Sequence, residues 1–184
     1  IAPEEMRRWA VTDNPQGIVV LFRAPPAVSA TVRGAMPCRL ILDGLGDPGN
    51  LGTILRTAWA VGMMDVWLVR GTTDPFAPKA VRAGMGAQFA IRIEWVDGLS
   101  EAATLLDTAG PGTLWLAVPR GGVSAFSEAF QPQGGALVIG SEAHGVSDST
   151  RGAPVHLPMP GDAESLNAAQ AATVFLFEFV RRGM

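Results

Sequence analysis

Two stretches of this sequence carry the side chains best suited to chemistry. Ser141, Glu142 and His144 follow an apolar run ending at Gly140, and Ser165 and Asn167 precede a long apolar helical pattern. A carboxylate, a hydroxyl and an imidazole on a loop leaving a buried strand can move protons or hold polar ligands. In α/β proteins, loops at the carboxyl ends of parallel strands form the binding crevice. A third pair is Asn50 and Arg56. Asn50 reads as the N-cap of a helix over 50–62. Leu51, Ile54, Leu55, Ala58 and Gly62 give that helix one apolar face, and Arg56 falls off it, toward solvent or a ligand. Singly, each feature has an ordinary structural reading: a capping Asn with a surface Arg, a strand exit with a solvated Glu, and a Ser165 cap with a satisfied Asn167. Two scattered histidines and one cysteine make no metal-ligand set.

A competing pattern lies just before the first helix. Gly44, Gly46 and Gly49 match G-x-G-x-x-G between a strand and a helix, the dinucleotide fingerprint. Two residues oppose it. Pro48 is tolerated only in a first helical turn, whereas in the fingerprint the helix is already under way. The second strand ends at Arg70 instead of the acidic residue that would hold a ribose.

The elements that must position these residues alternate. Strand-like apolar runs occur at 40–42, 66–69, 91–96, 114–118 and 136–139, with a shorter one at 155–157. Helical patterns fall at 50–62, 78–86, 99–108 and 165–181. The last is apolar nearly all round, broken chiefly by Gln170, Thr173 and Glu178, and is expected to be buried on more than one side. Strands apolar throughout, alternating with helices, predict an α/β fold with a mostly parallel sheet covered on both faces. Residues 1–36 read as a connector containing a short strand at Ile18–Phe22. The opening Glu4-Glu5-Met6-Arg7-Arg8-Trp9 resembles the end of a longer helix. The chemistry-bearing unit is expected over 37–184.

Composition narrows the function. The 184 residues suit one domain, and a 48% hydrophobic share with mean hydropathy +0.24 points to a large core or a buried oligomer surface. No apolar stretch is long enough to span a bilayer. Cys38 alone excludes an internal disulfide framework and fits a reducing, cytoplasmic setting. A net charge of −3 argues against holding nucleic acid by bulk electrostatics, so any RNA must be met by locally placed arginines or by another segment.

In this order, the three motifs resemble those of the SpoU/TrmH family of RNA 2′-O-ribose methyltransferases. Asn50-Leu-Gly-Thr-Ile-Leu-Arg56-Thr-Ala is similar to the first family motif, 137–147 to the second, and 156–167 with its apolar helix to the third. Gln170 departs slightly from the third. Thr12–Val20 is similar to the stretch joining the family's N-terminal RNA-binding domain, of the ribosomal-protein L30e type, to the catalytic domain. Residues 1–36 would then be the remnant of that linker. The resemblance implies a C-terminal deep trefoil knot, a homodimer using helix 165–181, and S-adenosyl-L-methionine as methyl donor. It assigns Arg56, Asn50, Glu142, Ser165 and Asn167 to catalysis. It assigns Leu116, Ala117, Val118, Ile139, Gly140, Leu157, Pro158, Met159, Ser165 and Leu166 to the donor pocket. The implied substrate is RNA, ribosomal by the linker remnant. A transfer-RNA substrate, a non-catalytic RNA-binding module of the same fold, and an NAD(P) enzyme are the alternatives.

Overall fold

The computed structural model describes residues 2–10, 17–18, 20, 23, 25–30, 38–108 and 110–184. The expected strand at 18–22 and the boundary at Pro37 lie largely outside the described residues. A short helix, α1 (Pro3–Trp9), comes first, followed by β1 (Arg39–Asp43), α2 (Pro48–Ala60), β2 (Asp65–Val69) and α3 (Pro78–Gly84). Then come β3 (Arg92–Val96), α4 (Leu99–Asp107), β4 (Leu114–Ala117), β5 (Val123–Ser124), β6 (Ala136–Gly140), β7 (Ala153–His156) and α5 (Ala168–Arg181). The two-residue β5 is too short to show a period and was not expected from the sequence.

Every pairing between these strands is parallel, in the order β3-β2-β1-β6-β4-β7-β5. This agrees with the expected parallel sheet. The period of two along the strands divides their side chains between two cores. Leu40, Leu42, Val66, Leu68, Leu137 and Ile139 face α2 and α5, where Leu51, Ile54, Leu55, Ala172, Phe175 and Leu176 meet them. Ile41, Trp67, Val69, Leu116 and Val138 face the other way, onto Leu99, Ala102 and Leu106 of α4. Strands covered on both sides have no polar face to show, which is why their sequences are continuously apolar.

Helix α3 lies close against α2 through Gly52. A Cβ there would come within 2.3 Å of the Ala80 carbonyl oxygen.

Two helix starts differ from expectation. Asn50 is not the cap of α2. That role belongs to Asp47, whose Oδ1 accepts from the Asn50 backbone N–H at 2.8 Å. Pro48, with φ preset for a helix, occupies the first turn and moves the start upstream. Likewise Ser165 does not cap α5. Asn167 does, and the helix begins at Ala168. The single chain leaves one side of α5 open, short of the expected burial on more than one side. Phe175, Leu176 and Phe179 are buried, while Val174, Phe177 and Val180 are exposed along one stripe.

The far end of α5 carries an ion cluster. Glu178, 4% exposed, accepts from Arg181 at 2.6 Å and 2.7 Å and from Arg182 at 2.7 Å. Arg182 also donates to the carbonyls of Phe130, Ala125 and Ser127, and its guanidinium lies over the Phe130 ring. The bond from Arg181, aided by Arg182, holds the Glu178 carboxyl below its ordinary range despite burial. Cys38 is buried, and burial pushes its thiol up to about 12, which makes it a small core residue rather than a nucleophile.

Arg182→Ala leaves Glu178 with Arg181 as its partner but takes the donor from three carbonyls, and a buried acceptor left unsatisfied costs about 1–3 kcal/mol. Urea unfolding measures that loss. A carboxyl depressed in the folded state stabilises above the unfolded glutamate value, about 4.3, and this contribution fades as pH falls through the lower folded value. The gap between wild type and Glu178→Gln in urea midpoint is therefore expected to narrow below pH 4.

Candidate active site

The carboxyl ends of β4, β6 and β7 open into a cavity of about 410 Å³. Its walls are the residues at and just past the end of each strand, together with the approach to α5 and its first turns. Ala117 ends β4 and is followed by Val118 and Pro119, while Ile139 and Gly140 end β6 and are followed by Ser141, Glu142 and Gly145. Leu157 and Met159 come after β7, and Ser165 to Ala168, Ala171 and Phe175 at the start of α5. This is the expected place for a ligand in a parallel sheet.

The loop after β6 is held tightly. Ser141 and Gly145 exchange backbone hydrogen bonds of 2.8 Å each, and the Ser141 hydroxyl accepts from the His144 N–H. Gly145 turns with φ +70°, and a Cβ on Gly140 would come within 2.2 Å of the Gly145 carbonyl carbon. Ser147 N–H is bonded to the buried Asp43 carboxylate at the end of β1, which ties the loop to the neighbouring strand. Glu142 is thus carried on a short, closed turn. Among the described residues it is the only charged side chain in the cavity wall.

Three residues from three separate stretches join at the rim. Asn167 Oδ1 accepts from the backbone N–H groups of Ala169 and Gln170, capping α5. Its Nδ2 donates to Asn50 Oδ1 at 3.1 Å, and Asn50 Nδ2 donates to Glu142 Oε1 at 2.5 Å. Because Asp47 performs the capping of α2, the Asn50 side chain is released for this contact. Asp47 is itself fixed by Lys79 at 2.6 Å, and the Lys79 bond, with the Asn50 N–H, lowers its carboxyl from the usual value. Lower on the same pair of helices, the hydroxyls of Thr57 and Thr173 meet at 3.3 Å.

The structure therefore brings together Asn50, Glu142 and Asn167, and places Glu142, Ser165 and Asn167 in the cavity wall. Of the expected donor-pocket residues, Ala117, Val118, Ile139, Gly140, Leu157, Met159, Ser165 and Leu166 line it. Leu116 does not, since its side chain packs in the α4 core, and Pro158 is exposed outside the wall. Arg56 is exposed, as its position off the apolar stripe predicts, but it neither lines the cavity nor bonds to any described residue. Gly44, Gly46 and Gly49 also lie outside the cavity wall. Sequence reasoning named Ser141 among the polar groups of its loop but did not single out Pro119, Ala171 or Phe175. The last two sit on the inward side of α5, one helical turn apart, a spacing that reads equally as ordinary core. Among the described residues, no three potential metal ligands cluster.

Residues 37–177 match the model of the SpoU rRNA methylase family. The chain belongs to that family. Its SpoU relatives include the mitochondrial rRNA methyltransferase 3 of Homo sapiens, 31% identical over 97% of this chain and 56% of that protein. Another is the 23S rRNA (guanosine(2553)-2′-O)-methyltransferase RlmP of Bacillus subtilis, 34% identical over 90% of this chain and 65% of that protein. The SpoU methyltransferase AviRb of Streptomyces viridochromogenes, solved with the cofactor AdoMet, superimposes with a TM-score of 0.76 at 33% identity. That match covers 86% of this chain and 66% of the AviRb chain. The chain spans little more than half the length of the mitochondrial relatives. All three motif regions fall inside the SpoU match. The fold of AviRb agrees with the parallel α/β sheet described above.

If Asp47 rather than Asn50 caps α2, Asp47→Ala lowers the thermal midpoint more than Asn50→Ala does. Asn167→Ala removes a genuine cap and is expected to cost about 1 kcal/mol, read by denaturant unfolding. Equal losses at Asp47 and Asn50 would contradict this arrangement.

Proposed function

We propose that this chain is the catalytic part of an S-adenosylmethionine-dependent RNA 2′-O-ribose methyltransferase acting on ribosomal RNA. The observation that carries the reading is the cavity at the ends of β4, β6 and β7, rimmed by the Glu142–Asn50–Asn167 chain of hydrogen bonds. The rRNA 2′-O-methylating relative RlmP and the AdoMet-bound AviRb support it.

The cavity's chemistry fits such a donor. Leu157, Leu166 and Phe175 offer apolar contact, and Ser141, Ser165 and Asn167 offer hydrogen bonds. Glu142 gives the wall a negative charge and no Lys or Arg among the described residues lines it, which suits a cationic sulfonium and disfavours the phosphates of NAD(P). Bound there, the donor would supply a methyl group on a neutral leaving sulfur. Backbone near Ala117–Val118, Ile139–Gly140 and Leu157–Met159 would hold it. Asn50 and Asn167 would fix the Glu142 carboxylate at the mouth. Arg56 would meet the RNA outside the cavity. A guanidinium is a costly base but a good fork for phosphate.

Four further features belong to the same proposal. The segment from β6 to α5 forms a deep trefoil knot, in keeping with β6 lying between β1 and β4 and with α5 returning to α2. The chain pairs as a homodimer over Val174, Phe177 and Val180, an exposed apolar stripe that a second copy would cover. Residues 1–36 link this unit to an RNA-binding domain, which a catalytic part of net charge −3 requires for affinity. The setting is cytoplasmic, in keeping with a lone buried cysteine.

Titration calorimetry is expected to give saturable binding of S-adenosylhomocysteine and none of NADP, and the reverse would overturn the assignment. Arg56→Ala should abolish methyl transfer to RNA and leave donor affinity within a few-fold, because the residue lies outside the cavity. Arg56→Lys, which keeps the charge but loses the planar fork, should stay inactive if Arg56 positions phosphate.

A further inference from the structure

We infer that Glu142 is the proton acceptor for the reacting ribose hydroxyl, through its Oε2 atom. This rests on the methyl-transfer reading above and adds to it the group that takes the proton. The argument starts at the helix cap. Two backbone N–H groups, of Ala169 and Gln170, point at Asn167 Oδ1, so the Asn167 amide can face only one way. Its nitrogen then donates to Asn50 Oδ1. With its oxygen engaged, Asn50 must turn its nitrogen toward Glu142, and an amide nitrogen only donates. Glu142 Oε1 is thus held as an acceptor by a bond of 2.5 Å. Oε2 has no hydrogen bond or ion pair with any described residue, which leaves it the more open of the two oxygens to a proton.

The rest of the wall offers no competitor. Among the described residues Glu142 is its only charged side chain, and the other polar side chains in it are Ser141, Ser165 and Asn167, a pair of hydroxyls and an amide. The Ser141 hydroxyl already accepts from the His144 N–H, and the His144 side chain is not part of the wall. Arg56 lies outside the cavity, and a guanidinium is a poor proton acceptor. A carboxylate need not deprotonate the hydroxyl beforehand. Methylating a neutral hydroxyl creates a protonated ether, a strong acid, so the proton passes downhill as the new bond forms. In the step, the ribose 2′-oxygen lone pair forms the bond to the methyl carbon. The methyl–sulfur bond breaks with its electron pair on sulfur, and the hydroxyl proton moves to Glu142 Oε2. The products are a ribose methyl ether, a neutral thioether and a carboxylic acid, which returns its proton to water on release.

Glu142→Gln separates this role from a structural one. A Gln carbonyl still accepts from Asn50, so the rim survives, but the side chain cannot take a proton. By calorimetry, S-adenosylhomocysteine should bind Glu142→Gln within about threefold of wild type. In NMR spectra of both proteins the Asn50 side-chain amide proton should keep its hydrogen-bonded shift. Single-turnover methyl transfer should nonetheless fall roughly 10²–10⁴-fold, the usual contribution of general base catalysis. Glu142→Ala should recover rate with added formate in a saturable way, and Arg56→Ala should not. Transfer by Glu142→Gln within tenfold of wild type, or no formate rescue of Glu142→Ala, overturns the role of Glu142 alone. A wild-type chain that binds no S-adenosyl ligand and methylates no RNA overturns the parent reading and this one together.

Discussion

The amide of Asn50 is the constraint on which the site depends. It has one oxygen and one nitrogen to place, and each is claimed by a different part of the chain, Asn167 and Glu142. Neither contact can form unless α2, the β6 exit loop and the α5 start are all in register. That register is set deeper in the fold. Gly52 lets α3 approach α2, Asp43 holds the β6 loop through Ser147, and Asp47 with Lys79 fixes where α2 begins. A cap one turn later would have kept Asn50 at its own helix end. The small shift caused by Pro48 turns an expected capping residue into the joint between three segments.

The α/β fold was legible because its strands are short, buried on both faces and separated by helices with clear apolar stripes. The pattern gave every strand but β5 to within a residue or two and predicted the parallel pairing. It did not reveal strand order, since nothing local in Leu137–Gly140 says that this run lies between β1 and β4. The two cap assignments failed for one reason. Asp47 and Asn50, like Ser165 and Asn167, are both competent caps a few residues apart, and the choice falls to the geometry of the incoming chain. At the site, Glu142 and Asn167 were legible as polar groups at the mouth of an apolar crevice. Leu116 was misplaced in side-chain terms because the pleat sends alternate residues to opposite faces. Arg182 drew no notice. A basic residue at a helix end looks like a surface charge until three carbonyls are found around it.

Helix α5 serves both ends of the cavity's support. Its N-terminus supplies the N–H groups that orient Asn167. Its C-terminus, through Arg182, gathers the carbonyls of 125–130, the segment following β5. Phe130 packs edge-on against Trp115 at 5.0 Å and close to Phe175 and Phe179, so the same segment is anchored to both β4 and α5. An apolar helix with one buried acid near its end is therefore a brace between the cavity's rim and the segment that follows β5.

The central position of β6 also bears on how the molecule is made. Arg39 pairs with Ala136, more than half the chain away, and β1 stays without its neighbour on that side until β6 has been synthesised. Pairings of such long sequence separation must close a large loop before any contact rewards them, which slows folding. Strands β1 to β3 with their helices can assemble early during synthesis. The crevice waits for the last third of the chain, so a ribosome-bound intermediate would carry the Arg56 helix complete and the ligand site wholly unformed.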